Sequence, residues 1–310
     1  MALSPDPSTK IYPVETCAVV VVTYNSAHVI EALLDSIPAA LGPIEGHVVV
    51  VDNGSTDGTL AVLEQRSDCT VVRSTNVGYS GGINRAVAAA PLTDSILVLN
   101  PDVRLAAGAV PPLLAALGPD VGIAVPRILS DAGTLEFSLR REPTLLRALG
   151  LTRTGIAALS EYVTEPEAYD VQHPVDWALG AVLLISRACH DKVGGWDESY
   201  FLYSEETDFC LKARDLGLST VYVPASTAVH IGGQSGRNDR THAMQIVNRV
   251  RLFGRRRGLL AAWPYLGLTV LSEFSWLLRG HQQSRHAIAA LLLPSRRPAE
   301  LGCSDHVIPR

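Results

Sequence analysis

Apolar and polar positions alternate along the first 130 residues in blocks, each of one recognisable period. Residues 17–22 (CAVVVV) form a short β-rich run that ends at Thr23-Tyr24-Asn25. Val29, Ile30, Leu33, Leu34 and Ile37 follow at helical spacing, with Asn25 or Ser26 available as a cap. Residues 47–51 (HVVVV) predict a second strand, and Leu60, Val62 and Leu63 a helix after it. Val71 and Val72 mark a third strand, residues 96–99 (ILVL) a fourth, residues 109–117 a helix and residues 122–125 a strand. Strand–helix alternation with short connections predicts an α/β fold: a mostly parallel sheet with helices on both faces. The run at 96–99 is apolar at every position, as a strand buried on both faces is.

The connections carry the polar chemistry. The first strand ends in Thr23-Tyr24-Asn25 and the second in Asp52-Asn53-Gly54-Ser55-Thr56-Asp57-Gly58. The fourth ends in Asn100-Pro101-Asp102, where proline stops the ladder. All three lie on the carboxyl edge of the sheet, where open α/β sheets bind ligands. Asp102 is therefore expected to meet a divalent metal and the phosphates of a nucleotide. The stretch from Asn76 to Ala86 (NVGYSGGINRA) reads as a Gly-rich loop opening a helix. Its glycines miss the dinucleotide-binding spacing and follow the third strand, and no P-loop lysine is present, so nucleotide binding is supported but nicotinamide chemistry is not.

The second half is less regular. Residues 142–174 predict loops, including a mobile segment. Val175-Asp176-Trp177 leads into a strand at 182–185, Gly194-Gly195-Trp196-Asp197-Glu198 forms a turn, and Phe201-Leu202-Tyr203 approaches Ser204-Glu205-Glu206-Thr207-Asp208. A helix then runs to about residue 216 with its acids at the positive N-terminal end, and His230 follows a strand at 221–223. Residues 259–278 are apolar apart from Ser, Thr and Glu273, with Arg249, Arg251, Arg255, Arg256 and Arg257 just before them. Trp263, Tyr265 and Trp276 lie within. Such a segment suits a membrane interface, and equally a helical subdomain or a dimer contact.

Composition narrows the class. A chain of 310 residues with 47% hydrophobic and 18% charged residues can bury a large core. Five scattered cysteines without CxxC spacing exclude a disulfide framework or structural zinc site and fit a reducing compartment. The first residues have no apolar core and do not read as a signal peptide. The net charge of −5 divides into +7 over residues 249–310 and −12 over the remainder, so a basic tail on an acidic body suggests an anionic surface as partner.

Taken together, these blocks resemble the inverting family 2 glycosyltransferases of GT-A fold, and within them the bacterial rhamnosyltransferase-like branch. The resemblance spans roughly residues 16–240. It implies a flexible N-terminus (1–15), a catalytic domain (16–240, with nucleotide-binding half 16–126 and acceptor half 127–240) and a basic, apolar helical extension (241–310). Thr23, Tyr24, Asn25 and Asp52 would hold the base and ribose of a nucleotide-sugar. Asn76 and Gly78 would line the same pocket by close backbone approach, with Asn100 also binding the nucleotide-sugar. Asn100-Pro101-Asp102 stands at the family's DxD element. Asp102 then carries the carboxylate contact to Mg²⁺ or Mn²⁺ alone, with His230 as second ligand. The general base falls on Glu206, where the family has Asp, with Glu205 and Asp208 as fallbacks. Asp176 and Trp177 would form the sugar or acceptor site.

The implied activity is metal-dependent, inverting transfer of a sugar, L-rhamnose from a dTDP donor or another sugar from UDP or GDP, to a hydroxyl of a glycan or lipid-linked glycan. Expected partners are the donor, the acceptor, a membrane surface through the extension and a second copy of the chain, with no nucleic acid. The expected location is cytoplasmic, peripheral to the inner membrane face. Two alternatives stay open: a catalytically silent nucleotide-sugar-binding protein, for which the missing first DxD carboxylate speaks, and a nucleotidyltransferase, which would need a Gly-rich loop after the first strand.

Overall fold

A computed structural model describes residues 15–151, 154–232 and 238–303. β1 (Thr16–Thr23), β2 (Glu45–Asp52), β3 (Thr70–Arg73) and β4 (Ser95–Leu99) alternate with α1 (Ile30–Leu41), α2 (Thr59–Leu63) and α3 (Gly78–Ala89). β5 (Val103–Leu105), α4 (Val110–Ala116) and β6 (Val121–Ser130) complete the first half. The second half contains β7 (Leu139–Arg140), β8 (His173–Val175), β9 (Trp177–Ala178), β10 (Val182–Ser186), α5 (Arg187–Val193), α6 (Glu205–Asp215) and β11 (Ser219–His230).

The main sheet runs β3-β2-β1-β4-β10-β6-β11-β5, with β8 beside β11, and β7 and β9 pair separately. β1 is central and parallel to both β2 and β4, with Val19 opposite Val48 and Leu97. The other neighbour of β4 is β10, which runs antiparallel, so the parallel array ends there. Burial on both faces explains the unbroken apolar run of β4. Leu97 and Leu99 join a core with Ile30, Leu33 and Leu34 of α1, whereas Ile96 and Val98 join the opposite core with Ile83 of α3 and Phe209 of α6.

Two local expectations are corrected. No side chain caps α1; the Ser26 carbonyl accepts from the N–H groups of Val29 and Ile30 instead. The Gly-rich stretch is not a loop, because α3 begins at Gly78 and contains Gly81 and Gly82. A Cβ on Gly82 would lie 2.6 Å from Cγ1 of Val22, so the glycine lets α3 settle on β1.

Three further helices, α7 (Asp239–Arg257), α8 (Leu259–Leu278) and α9 (Gln283–Leu292), share a core of their own that includes Val247, Phe253, Tyr265 and Leu291. Among the described residues between 142 and 172 there are short 3₁₀ turns and a single β-bridge from Tyr162 to Arg140. Among the described residues no helix is long and apolar enough to cross a membrane. Glu273 interrupts the apolar run of α8 because it pairs, buried, with His242 of α7 at 2.9 Å.

The arginines expected to face an anionic surface are mostly taken up by acids of the body. Arg249 pairs with Glu161, Arg255 with Asp197, Arg256 with Asp215 and Arg257 with Glu142, and Arg251 is buried. The charge split along the chain is thus largely complementarity between the extension and the acidic body.

Candidate active site

The carboxyl ends of β1 and β4, the start of α3 and the start of α6 open onto one groove of about 1280 Å³, which also reaches α7 and α8. Thr23, Tyr24, Asn25, Asn76, Gly78, Asn100, Asp102, Trp177, Glu205, Glu206 and His230 all line it. Asp52, Asp176 and Asp208 do not.

The two βα loops at the edge are bolted together. Asn25, at φ 53°, accepts through Oδ1 from the Thr56 N–H at 2.8 Å, and Asp57 Oδ2 accepts from the Ala27 N–H at 3.1 Å. Asp52 is 1% exposed beneath them, accepting from the Thr23 hydroxyl at 3.3 Å and the Ser55 N–H at 3.0 Å. It holds the loop that faces the groove. Asn76 Oδ1 accepts from the Gly78 N–H at 3.1 Å. The close approach expected at Gly78 is to this chain itself: a Cβ there would lie 2.3 Å from the Phe201 carbonyl oxygen, and the Tyr79 N–H donates to that oxygen at 2.6 Å.

Asp102 is buried at the end of β4, 3.4 Å from Nε2 of His230, the last residue of β11. Nδ1 of His230 lies 3.2 Å from Glu136, a carboxylate the sequence pattern did not single out. Burial alone would lower the imidazole's pKa, but the Asp102 and Glu136 carboxylates outweigh it and raise it. One carboxylate and one imidazole on the groove wall suit Mn²⁺ or Mg²⁺ whose remaining ligands come from phosphates. Among the described residues no group of three or more His, Cys, Asp or Glu could hold a metal by itself.

Glu205 and Glu206, at the start of α6, line the same groove. Phe201, Tyr203 and Ser204, just before them, all have positive φ, between 61° and 75°, a concentration of strained backbone at the groove. Oε2 of each glutamate is buried without a hydrogen-bond partner. Burial raises both carboxyls, and for Glu205 the repulsion of Glu206 adds to it, so Glu205 stands well above its ordinary value. Asp208 is two residues on, about 200° around the helix from Glu206. It faces away and pairs with Lys212 at 2.6 Å.

Strand alternation separates the remaining pair. Trp177 lines the groove, whereas the preceding Asp176 points away, held by Arg214 at 2.9 Å and the Glu142 N–H at 2.7 Å. Tyr79, in the first turn of α3, also lines the groove. Its hydroxyl donates to the Gly180 carbonyl at 3.3 Å. Burial, then the charges of Glu205, Glu206 and Asp102, push the phenol well above its usual value, so one side chain senses all three acids.

Comparison with known proteins gives the family. Residues 18–161 match the family described as Glycosyl transferase family 2. The N-acetylglucosaminyl-diphospho-decaprenol L-rhamnosyltransferase of Mycobacterium tuberculosis is 32% identical over 248 residues, 72% of this chain and 79% of the relative. Two solved structures share the fold at low identity. The mannosyltransferase PcManGT of Pyrobaculum calidifontis, in complex with GDP-Man and Mn²⁺, has a TM-score of 0.54 at 17% identity, covering 97% of this chain and 88% of that one. S. aureus TarS 1-349, in complex with UDP-GlcNAc, has a TM-score of 0.56 at 18% identity, covering 92% and 82%. Sequence likeness across most of both chains, on a sheet whose strand ends gather carboxylates in one groove, leads to one assignment: the chain belongs to glycosyl transferase family 2 and is a glycosyltransferase of GT-A fold.

Proposed function

We propose that this enzyme transfers L-rhamnose from a dTDP-linked donor to a hydroxyl of a lipid-linked glycan, with inversion, in cell-wall or surface-glycan assembly. The carrying observation is that Asp102 with His230 and Glu206 with Glu205 line one groove. The mycobacterial relative, named for rhamnose transfer to a diphospho-decaprenol-linked N-acetylglucosamine, supports the choice of sugar and acceptor.

In this reading the βα loops carrying Thr23, Tyr24 and Asn25 receive the nucleoside, with Asp52 holding them from below. Asn76, Gly78 and Asn100 complete that wall. Asp102 and His230 would hold a Mg²⁺ or Mn²⁺ ion, which neutralises charge on the departing diphosphate. Glu206 accepts the proton of the attacking hydroxyl, and Trp177 offers an aromatic face to a sugar ring. Burial and the charge of Glu206 hold the Glu205 carboxyl well above its ordinary value, so of the two Glu206 is the easier to ionise.

The exposed side of α8 gives the enzyme a place to meet a lipid-linked acceptor at the inner membrane face. Leu260, Trp263, Leu271, Phe274 and Leu278 are exposed there, while Ser272, Glu273 and Trp276 of the same helix line the groove. Exposed Arg279, Arg285 and Arg296, rather than the acid-paired arginines at 249–257, would face anionic headgroups. Vesicle co-sedimentation that is unchanged in a Leu260→Asp, Trp263→Asp, Phe274→Asp variant refutes this surface and leaves a dimer contact, read by sedimentation velocity.

Alanine at Asp102 should abolish transfer. Glutamine at Glu206 should leave donor affinity near wild type and lower kcat by about 10²–10⁴-fold. Near-normal kcat in the Glu206 variant removes that residue as the base, and transfer only from a different nucleotide-sugar removes rhamnose.

A further inference from the structure

We infer that Arg140 anchors a binding site for a phosphate or diphosphate ester, the charged group of the acceptor, in the part of the groove wall formed by β7 and β9. The inference rests on the glycosyltransferase reading above and extends it to a residue to which nothing so far gave a role.

Arg140 ends the short strand β7, directly opposite Trp177 of β9. Strand alternation sends it into the groove, while Arg141 turns away to a bidentate pair with Glu165. Arg140 is 6% exposed. Its guanidinium carbon lies 3.9 Å from the centre of the Tyr162 ring and 5.9 Å from that of Trp177. Nη1 donates to the carbonyl oxygens of Phe137 and Leu139. Among the described residues, Nε and Nη2 have no hydrogen-bond acceptor and no carboxylate lies within 4 Å.

Arginines that line the same groove behave differently. Arg240 pairs with Glu300 and Arg249 with Glu161, and Arg147 gives Nε and Nη1 to the carbonyls of Ala157 and Glu142. Among the described arginines that line the groove, Arg140 alone combines near-complete burial with no carboxylate within 4 Å, and the acid that feels its charge is the more distant Glu206. Burying a guanidinium without a directly paired carboxylate is unfavourable, and the aromatic rings and the more distant Glu206 offset only part of it. Two free N–H groups in a planar fork match two oxygens of a phosphate. Carbonyl bonds and the Tyr162 stack hold the fork in place before any ligand arrives. The site lies on the Trp177 side of the groove and its charge acts on Glu206, whereas the expected diphosphate of the donor is at Asp102. It therefore fits an anion carried by the acceptor.

The test titrates the full chain twice. The first titration uses dTDP with Mn²⁺ and checks the donor reading by itself. The second adds decyl diphosphate to the protein saturated with dTDP and Mn²⁺, with inorganic phosphate in a parallel arm. Wild type should bind the alkyl diphosphate, Arg140→Met should lose at least tenfold in affinity, and Arg140→Lys should fall between. The dTDP affinity and melting temperature of each variant should match wild type. Tighter binding of decyl diphosphate than of phosphate assigns the site to a lipid-linked ester, and equal binding assigns it to phosphate groups in general. No second binding event in wild type, or equal affinity in Arg140→Met with its fold intact, overturns the proposal. Loss of dTDP binding alone overturns the donor reading, while the same comparison on unloaded protein still decides Arg140.

Discussion

Gly78→Ala tests how the backbone positions the candidate base. At Gly78 φ is +80° and an added Cβ would sit 2.3 Å from the Phe201 carbonyl oxygen and 2.7 Å from its Cα. Both obstacles are backbone atoms, so neither can swing aside. The left-handed conformation costs an L-residue about 1–2 kcal/mol, and forcing an atom into filled space about 1–3 kcal/mol more. Together the cost is about 2–5 kcal/mol. With an unfolding entropy of about 2.1 cal/mol/K per residue over roughly 300 residues, the melting temperature should fall by about 3–8 °C. Gly108→Ala is the control: its φ is +68° but nothing lies within 4 Å of the added Cβ, so only the conformational term applies. That variant should lose about 1–3 °C. The displaced Phe201 leads within five residues to Glu206. A shift of about 1 Å there should lower kcat about 100-fold at temperatures where the protein remains folded. Differential scanning calorimetry and initial rates on both variants decide the matter. Equal melting temperatures and equal kcat would show that the contact does not hold the α6 entrance in place.

Three further outcomes are expected. The Glu205 carboxyl is raised in the folded protein, so its stabilising contribution is complete below the unfolded pKa and is lost as pH rises through the folded value. Glu205→Gln should therefore melt higher than wild type at pH 8 and show no such gain at pH 4, measured by thermal denaturation. Because Glu206 is also raised and must be ionised to accept a proton, kcat/KM should fall on the acid side with an apparent pKa above 4.5, and a flat profile from pH 4 to 8 contradicts its role. His242→Ala leaves Glu273 buried without its ion-pair partner at 2.9 Å, with the Ser284 hydrogen bond and the Arg249 charge remaining. It should cost about 3–5 kcal/mol in urea unfolding, whereas the double variant His242→Leu, Glu273→Leu should recover much of that loss.

Periodicity alone revealed the strands β1, β2 and β4 and the helices between them, because burial on both sheet faces demands apolar residues at every position. It also placed the polar strand ends on one edge, since parallel strands joined by crossovers must end together. Thr23, Asn25, Asn100, Asp102, Trp177, Glu205, Glu206 and His230 were legible as candidates and do meet in one groove. What sequence could not decide was side-chain direction and long-range pairing. Asp176 and Arg141 are excluded from the groove, and Trp177 and Arg140 admitted, by a single step of strand alternation. Asp208 is removed by helix rotation. The basic run at 249–257 looked like a surface, yet its partners Glu142, Glu161, Asp197 and Asp215 lie far away in sequence and only folding brings them together. Local pattern reports the face a segment must bury; which distant charge meets it there is settled by tertiary packing, because an ion pair depends on distance in space and leaves no period along the chain.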